Sequence, residues 1–148
     1  MSARRSGALN PVEVARRLPH RHPFLLLDRV DDLKPGVSAV GTKNVSITDP
    51  VFAGHFPANP IYPGVHMVEV AAQLCGLIGS SEGEAPMLGY LASIKRFKFL
   101  ALVVPGDQMT ITARAGVSIG ALTEYTVEIT VARTVVASGV LSIARTGA

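Results

Sequence analysis

The longest apolar run of the chain predicts a helix that is enclosed by protein. Across residues 65–78 apolar side chains lie all round the helical axis, a pattern typical of a buried helix and not of one on a surface. Proline suits the first helical turn, and glycine often follows the last one, so we expect the helix to begin at Pro63-Gly64 and to end at the glycines 76 and 79. The polar residues that interrupt the run are His66, Glu69 and Gln73.

After residue 86 the hydrophobic period changes from helical to two, which predicts β-strands. Alternation is clearest near the middle of this region, where Val127 and Ile129 face one way while Glu128 and Thr130 face the other. The gaps after the second and third of these strands have hairpin length, so we expect these neighbours to be antiparallel. The predicted strands span residues 87–99, 109–117, 122–131 and 135–143.

The N-terminal part predicts a tail and the start of one domain. Residues 1–10 are expected to form a mobile tail, and residues 11–148 a single domain. A helix that is apolar on all sides is best covered if a sheet wraps around it, so the predicted fold class is α+β, with an antiparallel sheet around one long central helix. The remaining predicted elements are a short helix at 11–18, which Asn10 can cap, and extended segments at 24–30 and 37–47.

The composition favours a domain that hides part of its surface in an oligomer. Of the 148 residues 48% are hydrophobic and 17% are charged, and the mean hydropathy is +0.35. Because this is apolar for a soluble monomer, we expect at least a dimer. The net charge of +3 is weak evidence for nucleic acid, so we expect none as a partner; a modest basic patch facing an acidic protein would explain the charge equally well.

The single cysteine and the N-terminus favour a cytoplasmic protein. Cys75 cannot form an intrachain disulfide and lies in the apolar helix, which fits a reducing compartment. The N-terminus lacks the apolar run of a signal peptide. No segment reaches the roughly 18 uninterrupted apolar residues that span a membrane, so we expect no membrane association.

His55 lies in a stiff loop that can hold an imidazole in one place. Three prolines between residues 57 and 63 each fix the backbone angle φ and prevent a helix there. Two other histidines, His20 and His22, lie in a turn-rich connection, but no third ligand follows at a suitable spacing. We therefore expect no metal site.

Glu69 and Gln73 are four residues apart, so they share one face of the predicted helix. An ionised carboxylate in apolar surroundings is costly unless it is paired or neutral, and a carboxylic acid that keeps its proton can act as a general acid. Two interpretations stay open. His55 and Glu69 are either reactive groups or a structural hydrogen-bonded pair, and Gln73 either orients Glu69 or satisfies a backbone group.

Several motifs together resemble one enzyme family over residues 18–145. They are GHFP at 54–57, PGV at 63–65, Glu69, Gln73, LPHR at 18–21, DRV at 28–30 and VPGDQ at 104–108. This pattern resembles the dehydratases of type II fatty acid synthesis, which act on (3R)-hydroxyacyl chains held on acyl carrier protein and have the hot-dog fold. The resemblance implies a lyase that forms trans-2-enoyl chains without a metal or redox cofactor, because the phosphopantetheine arm arrives attached to the substrate.

The resemblance also implies a dimer, commonly within a trimer of dimers, whose active site takes His55 from one subunit and Glu69 from the other. Eliminating water needs a base at C2, an acid for the hydroxyl and a donor for the thioester oxygen. His55 suits the base and Glu69 the acid, while the backbone N–H groups of Gly64 and Val65 suit the oxyanion site. Further residues expected to support the site or to line the acyl tunnel are Phe56, Tyr62, Gln73 and Tyr90.

Residues 93–102 depart from the family pattern: Leu100 and Ala101 stand at two basic positions, Leu102 replaces a proline, and Lys95 replaces an acidic residue. The remaining charges are expected to dock the acidic carrier protein; they are Lys95, Arg96 and Lys98. The alternatives are a hot-dog acyl thioesterase and a pseudo-dehydratase subunit that is active only as a heterodimer with a homologous partner. Fatty acid synthesis and polyketide or polyene assembly would use the same residues.

Overall fold

The computed structural model describes residues 6–86 and 88–146. Two α-helices, α1 (Pro11–Arg17) and α2 (Gly64–Ile78), occur with a short 3-10 helix at Pro50–Ala53. The strands are β1 (Arg29–Lys34), β2 (Ser38–Asn44), β3 (Gly89–Phe99), β4 (Gln108–Ile119), β5 (Leu122–Val131) and β6 (Thr134–Arg145).

A capping box fixes the start of α1. The Asn10 side chain accepts a hydrogen bond from the Glu13 backbone, and the Glu13 side chain accepts one from the Asn10 backbone. Just before it, Leu9 exchanges two backbone hydrogen bonds with Val30 of β1. Ordered structure therefore begins inside the segment that was expected to be a mobile tail, and residues 1–5 of that tail lie outside the described residues.

The six strands form one antiparallel sheet in the order β1-β2-β4-β5-β6-β3. The predicted hairpins are confirmed, since β4, β5 and β6 are consecutive neighbours joined by two-residue turns. The strand predicted at 87–99 begins at Gly89, and Met87 lies outside the described residues. This strand does not precede β4 in the sheet: it pairs with β6 and forms the far edge.

The sheet wraps around α2, as predicted, because the helix contacts all six strands. The buried side of α2 fills the centre of the core with residues such as Leu74 and Cys75, which are fully inaccessible. The helix runs through Gly76 and ends at Ile78, with Gly79 as its C-cap. Among residues 6–86 and 88–146, no helix is long and apolar enough to cross a bilayer.

The segment at 24–30, for which the sequence predicted a strand or a short extended segment, is a strand only at its end. The strand starts only at Arg29, and residues 24–28 have no regular secondary structure. The N–H groups of Leu26 and Leu27 donate to the side-chain oxygen of Gln73 instead of to a neighbouring strand. A buried glutamine on α2 therefore supplies the hydrogen bonds that a sheet would otherwise provide.

Candidate active site

The loop before α2 holds His55 through its backbone N–H and through one ring nitrogen. The His55 backbone N–H donates to Val51 O at 3.0 Å, and the ring Nδ1 lies 2.8 Å from Ile61 O. A carbonyl oxygen can only accept, so Nδ1 carries the proton and Nε2 keeps a free lone pair. The ring also stacks on Phe56 with a centroid separation of 4.1 Å. The geometry thus presents Nε2 as the basic atom.

Glu69 is held through one of its two carboxylate oxygens. Oε1 accepts a hydrogen bond from Gln73 Nε2 at 3.0 Å and lies 3.4 Å from His20 Nε2. No described residue donates a hydrogen bond to Oε2, and the side chain is 19% exposed. Because one oxygen is fixed, the other is positioned to exchange a proton with a bound molecule.

Gln73 fulfils both roles that the sequence left open. Its Oε1 accepts from the amides of Leu26 and Leu27 at 3.0 and 3.2 Å, and its Nε2 donates to Phe24 O at 2.8 Å as well as to Glu69. The side chain is only 2% exposed. Gln73 therefore fastens the 24–27 segment to α2 and orients the carboxylate.

The N-terminal end of α2 leaves two amides available. Pro63 is the N-cap and makes no side-chain capping bond, and neither Gly64 nor Val65 donates its backbone N–H to a described residue. A Cβ built on Gly64 would lie 3.0 Å from the Phe99 ring, so glycine permits a close approach at this point. Free N–H groups at the positive end of a helix favour an anionic oxygen.

His55 and Glu69 do not meet within the chain. No hydrogen bond or ion pair among the described residues joins them. The groove that contains Glu69 is lined by residues of α1, α2, β3 and β6, and His55 is not among them. The interpretation of these two residues as a structural pair inside one chain is therefore wrong.

The other expected tunnel residues lie in different surroundings. Phe56 and Tyr90 are both about half exposed, on the His55 loop and on β3, whereas Tyr62 is only 2% exposed. The Tyr62 ring packs against Phe52 and His66, and burial, followed by the nearby Asp49 charge, raises the pKa of its hydroxyl well above the ordinary value. Tyr62 is therefore part of the core beneath the loop.

The three expected docking charges all lie exposed along the edge strand β3. Lys95 Nζ lies 3.4 Å from Glu124 Oε2 on β5. Arg96 adopts a positive φ of 50° at an irregularity in the pairing with β6. Lys98 is part of the same edge, so the structure brings the three together on one solvent-facing strand.

Sequence reasoning missed His20 as a neighbour of Glu69. Its ring Nε2 faces the carboxylate, and its Nδ1 is buried without a hydrogen-bond partner among the described residues. Only the tertiary packing of the 18–23 turn against α2 reveals this contact, since the two residues are 49 positions apart (69 − 20). No group of three or more possible metal-ligating side chains occurs in the part of the chain that the structure describes.

Comparison with known proteins adds relatives of known activity. Residues 18–145 match the family model of the FabA-like domain. The 3-hydroxyacyl-acyl-carrier-protein dehydratase FabZ of Syntrophomonas wolfei is 47% identical over 106 residues, covering 70% of this chain and 73% of that protein. FabZ of Ruminiclostridium cellulolyticum is 43% identical over 137 residues, covering 92% of this chain and 96% of that protein.

A solved structure supports the fold independently. The dehydratase heterocomplex ApeI:P from Xenorhabdus doucetiae superposes with a TM-score of 0.76 over 90% of this chain and 91% of the matched chain. The sequence identity is 23%, so this likeness concerns the fold alone.

Proposed function

The chain belongs to the FabA-like domain family, and from this membership we propose that it removes water from (3R)-3-hydroxyacyl chains on acyl carrier protein to give trans-2-enoyl chains in fatty acid synthesis. It is a hydro-lyase. The site assignment rests on two atoms that have no hydrogen-bond partner among the described residues, Nε2 of His55 and Oε2 of Glu69. The other ring nitrogen of His55 and the other carboxylate oxygen of Glu69 are both held by hydrogen bonds. A base and an acid held in this way are what an elimination requires.

The residues take the following roles. His55 Nε2 removes the proton from C2 while negative charge develops on the thioester oxygen. The amides of Gly64 and Val65 stabilise that oxygen. The bond from C3 to the hydroxyl breaks, Glu69 donates the proton that completes the departing water, and the electron pair from C2 forms the new double bond. Gln73 keeps the Glu69 carboxyl in place.

A second protomer is part of this proposal. The face of α2 that carries Glu69 is only partly covered, and the outer edge of β3 is unpaired and bears exposed apolar side chains such as Leu91 and Ile94. An exposed, apolar edge strand is a template for pairing with another chain. Pairing of two β3 edges would cover the helix face and could bring His55 of one protomer to Glu69 of the other. A heterodimer with a homologue would satisfy the same geometry.

The carrier protein is expected to contact basic side chains of β3 that project from the face of the sheet, so that the backbone edge of β3 remains available for pairing with a second protomer. The carrier protein that the family resemblance implies is acidic. The exposed charges of Lys95, Arg96 and Lys98 offer it a complementary surface. We further propose that no cofactor takes part, because proton transfer and hydrogen bonding account for every step. A cytoplasmic location is supported by the buried thiol of Cys75, which has no disulfide partner.

Mass spectrometry of the carrier protein tests the proposal. Purified protein mixed with (3R)-3-hydroxyacyl carrier protein should lower the substrate mass by one water, and His55→Ala should abolish the change. His22→Ala, which removes an exposed loop imidazole, is the matched control and should keep the activity. Release of free thiol would indicate a thioesterase instead, and activity only after addition of a homologue would indicate an obligate heterodimer.

A further inference from the structure

His20 faces the same carboxylate oxygen that Gln73 holds. Its ring Nε2 lies 3.4 Å from Glu69 Oε1, while Gln73 Nε2 donates to that oxygen at 3.0 Å. The separation at His20 is slightly longer than a formed hydrogen bond, which spans about 2.7–3.2 Å. Contacts of catalytic groups are often long before the substrate binds and shorten in the complex. A small shortening of this contact therefore gives Oε1 a second hydrogen bond.

The surroundings of the His20 imidazole decide which of its nitrogens carries the proton. Nδ1 is buried and has no hydrogen-bond partner among the described residues. A proton on Nδ1 alone would bury an unpaired N–H group and would turn the lone pair of Nε2 towards the lone pairs of Glu69 Oε1. A proton on Nε2 leaves only a buried acceptor unpaired. His20 therefore presents an N–H group to the carboxyl oxygen.

The turn that carries His20 is fastened to α2. Arg21 Nη1 donates to Leu18 O at 2.9 Å and to His20 O at 2.6 Å, which closes this turn. The His20 ring lies against Phe24 with a centroid separation of 6.4 Å, and Phe24 O accepts a hydrogen bond from Gln73 Nε2. The amide that orients the carboxyl thus also anchors the residue beside which the imidazole lies.

We propose that His20 is a positioning residue for the reaction, which donates to Oε1 together with Gln73 and so keeps the proton of Glu69 on Oε2. The inference rests on the proposed dehydratase function. As the carbonyl oxygen of the acid, Oε1 can accept both hydrogen bonds. The proton then lies on Oε2, the oxygen that no described residue contacts by a hydrogen bond and that can face the substrate.

The same N–H group strengthens the acid while water leaves. When the bond from C3 to the hydroxyl breaks, the Oε2 proton completes the departing water and negative charge remains on the Glu69 carboxyl. A hydrogen bond to a charged group is roughly twice as strong as one between neutral groups. The contact from His20 therefore gains strength in the transition state, so its loss lowers kcat and leaves KM nearly unchanged.

Replacing His20 by phenylalanine tests the proposal, because the variant keeps an aromatic ring beside Phe24 and removes the N–H donor. We expect His20→Phe to lower kcat on (3R)-3-hydroxyacyl carrier protein by roughly ten- to hundredfold, the value of one hydrogen bond to a charged group. His20→Gln should restore most of kcat, because Nε2 of glutamine can donate from a similar position. His22→Ala is the matched control, since it removes an exposed imidazole two residues away, and it should behave as the wild type.

A second substrate separates help to the acid from general support of the fold. Fluoride leaves as a stable anion with the electron pair of its bond to C3, so a carrier-bound 3-fluoroacyl chain of the same configuration depends far less on the Glu69 proton. His55 still removes the proton from C2. His20→Phe should therefore lower kcat on the fluoroacyl chain much less than on the hydroxyacyl chain.

The outcomes separate this inference from the function on which it rests. An unchanged kcat in His20→Phe, or an equal loss on both substrates, overturns the positioning role and leaves the dehydratase assignment intact. If His20→Phe does not fold, His20→Ala removes the same donor without adding volume and is judged by the same two comparisons. No conversion of the hydroxyacyl chain by the folded wild type overturns the function, and the positioning role with it.

Discussion

Replacing Gln73 by leucine should destabilise the fold far more than an ordinary loss of one polar side chain. The substitution Gln73→Leu leaves the buried amides of Leu26 and Leu27 without their hydrogen-bond acceptor. The carbonyl of Phe24 also loses its donor, but it is part-buried and water can replace that bond. A buried backbone group without a partner costs about 1–3 kcal/mol, so the two amides cost at least about 2 kcal/mol. Leucine returns about 1 kcal/mol through its larger apolar surface. We therefore expect a net loss of at least about 1 kcal/mol in the free energy of unfolding.

Equilibrium unfolding in urea, followed by circular dichroism, measures this loss. All samples need the same protein concentration, because association contributes to the stability of an oligomer. Gln108→Leu is the matched control: Gln108 is exposed, and within the described part of the chain its side chain donates only to Asn44, so the loss should stay within about 0.5 kcal/mol. Equal stability of the Gln73→Leu and Gln108→Leu variants would refute the view that Gln73 replaces a missing strand.

Three further predictions follow from the site and the core. First, His55→Ala and Glu69→Gln proteins, each inactive alone, should regain about a quarter of the wild-type activity when unfolded and refolded together, since half of the dimers then contain one intact site of two; no recovery would contradict a shared site. Second, burial raises the pKa of the Cys75 thiol far above its ordinary 9.0, so the unfolded state loses its proton first and stability falls as pH rises above about 9. The free energy of unfolding at pH 7 and pH 10 should fall more for the wild type than for Cys75→Ala, and equal slopes would disprove it. Third, reversing the β3 charges should lower kcat/KM for carrier-bound substrate severalfold at low salt and less at high salt, while turnover of a small pantetheine thioester stays unchanged; the residues to reverse are Lys95, Arg96 and Lys98.

Local patterns sufficed for the elements whose neighbours are close in sequence. The start of α2 follows from the proline at its N-cap, and the bounds of β5 follow from strict alternation of apolar and polar residues. The β4-β5 and β5-β6 hairpins follow from the short turns between them. In each case a few adjacent residues determine the element and the strand with which it pairs, so both can be predicted from the sequence.

The features that the local sequence did not predict depend on distant contacts. The pairing of β3 with β6 depends on the path of the chain around α2. The alternation of apolar and polar residues within β3 does not indicate that path. The 24–27 segment has the composition of a strand, yet a side chain 46 or more positions away satisfies the amides of Leu26 and Leu27. Neither feature has a local signal.

The same division applies to the site. The residue types of His55, Glu69 and Gln73 indicated acid and base chemistry before any geometry was known. Which atoms are free could not be predicted, because that depends on Ile61 O for the imidazole and on Gln73 for the carboxyl. The spacing of Glu69 and Gln73 indicated a shared helix face, but only the fold shows how differently the two are buried.

That difference in burial links the chemistry to association. Gln73 is enclosed by its own chain, whereas Glu69, one turn earlier, lies on a face of α2 that the chain leaves partly open, together with Ala72 and Gly76. A general acid works best where water is excluded, because electrostatic interactions then act at full strength. The isolated protomer cannot exclude water from Glu69, and its own His55 lies outside the groove. Covering this helix face by a second protomer would remove the water and supply the missing base in one event.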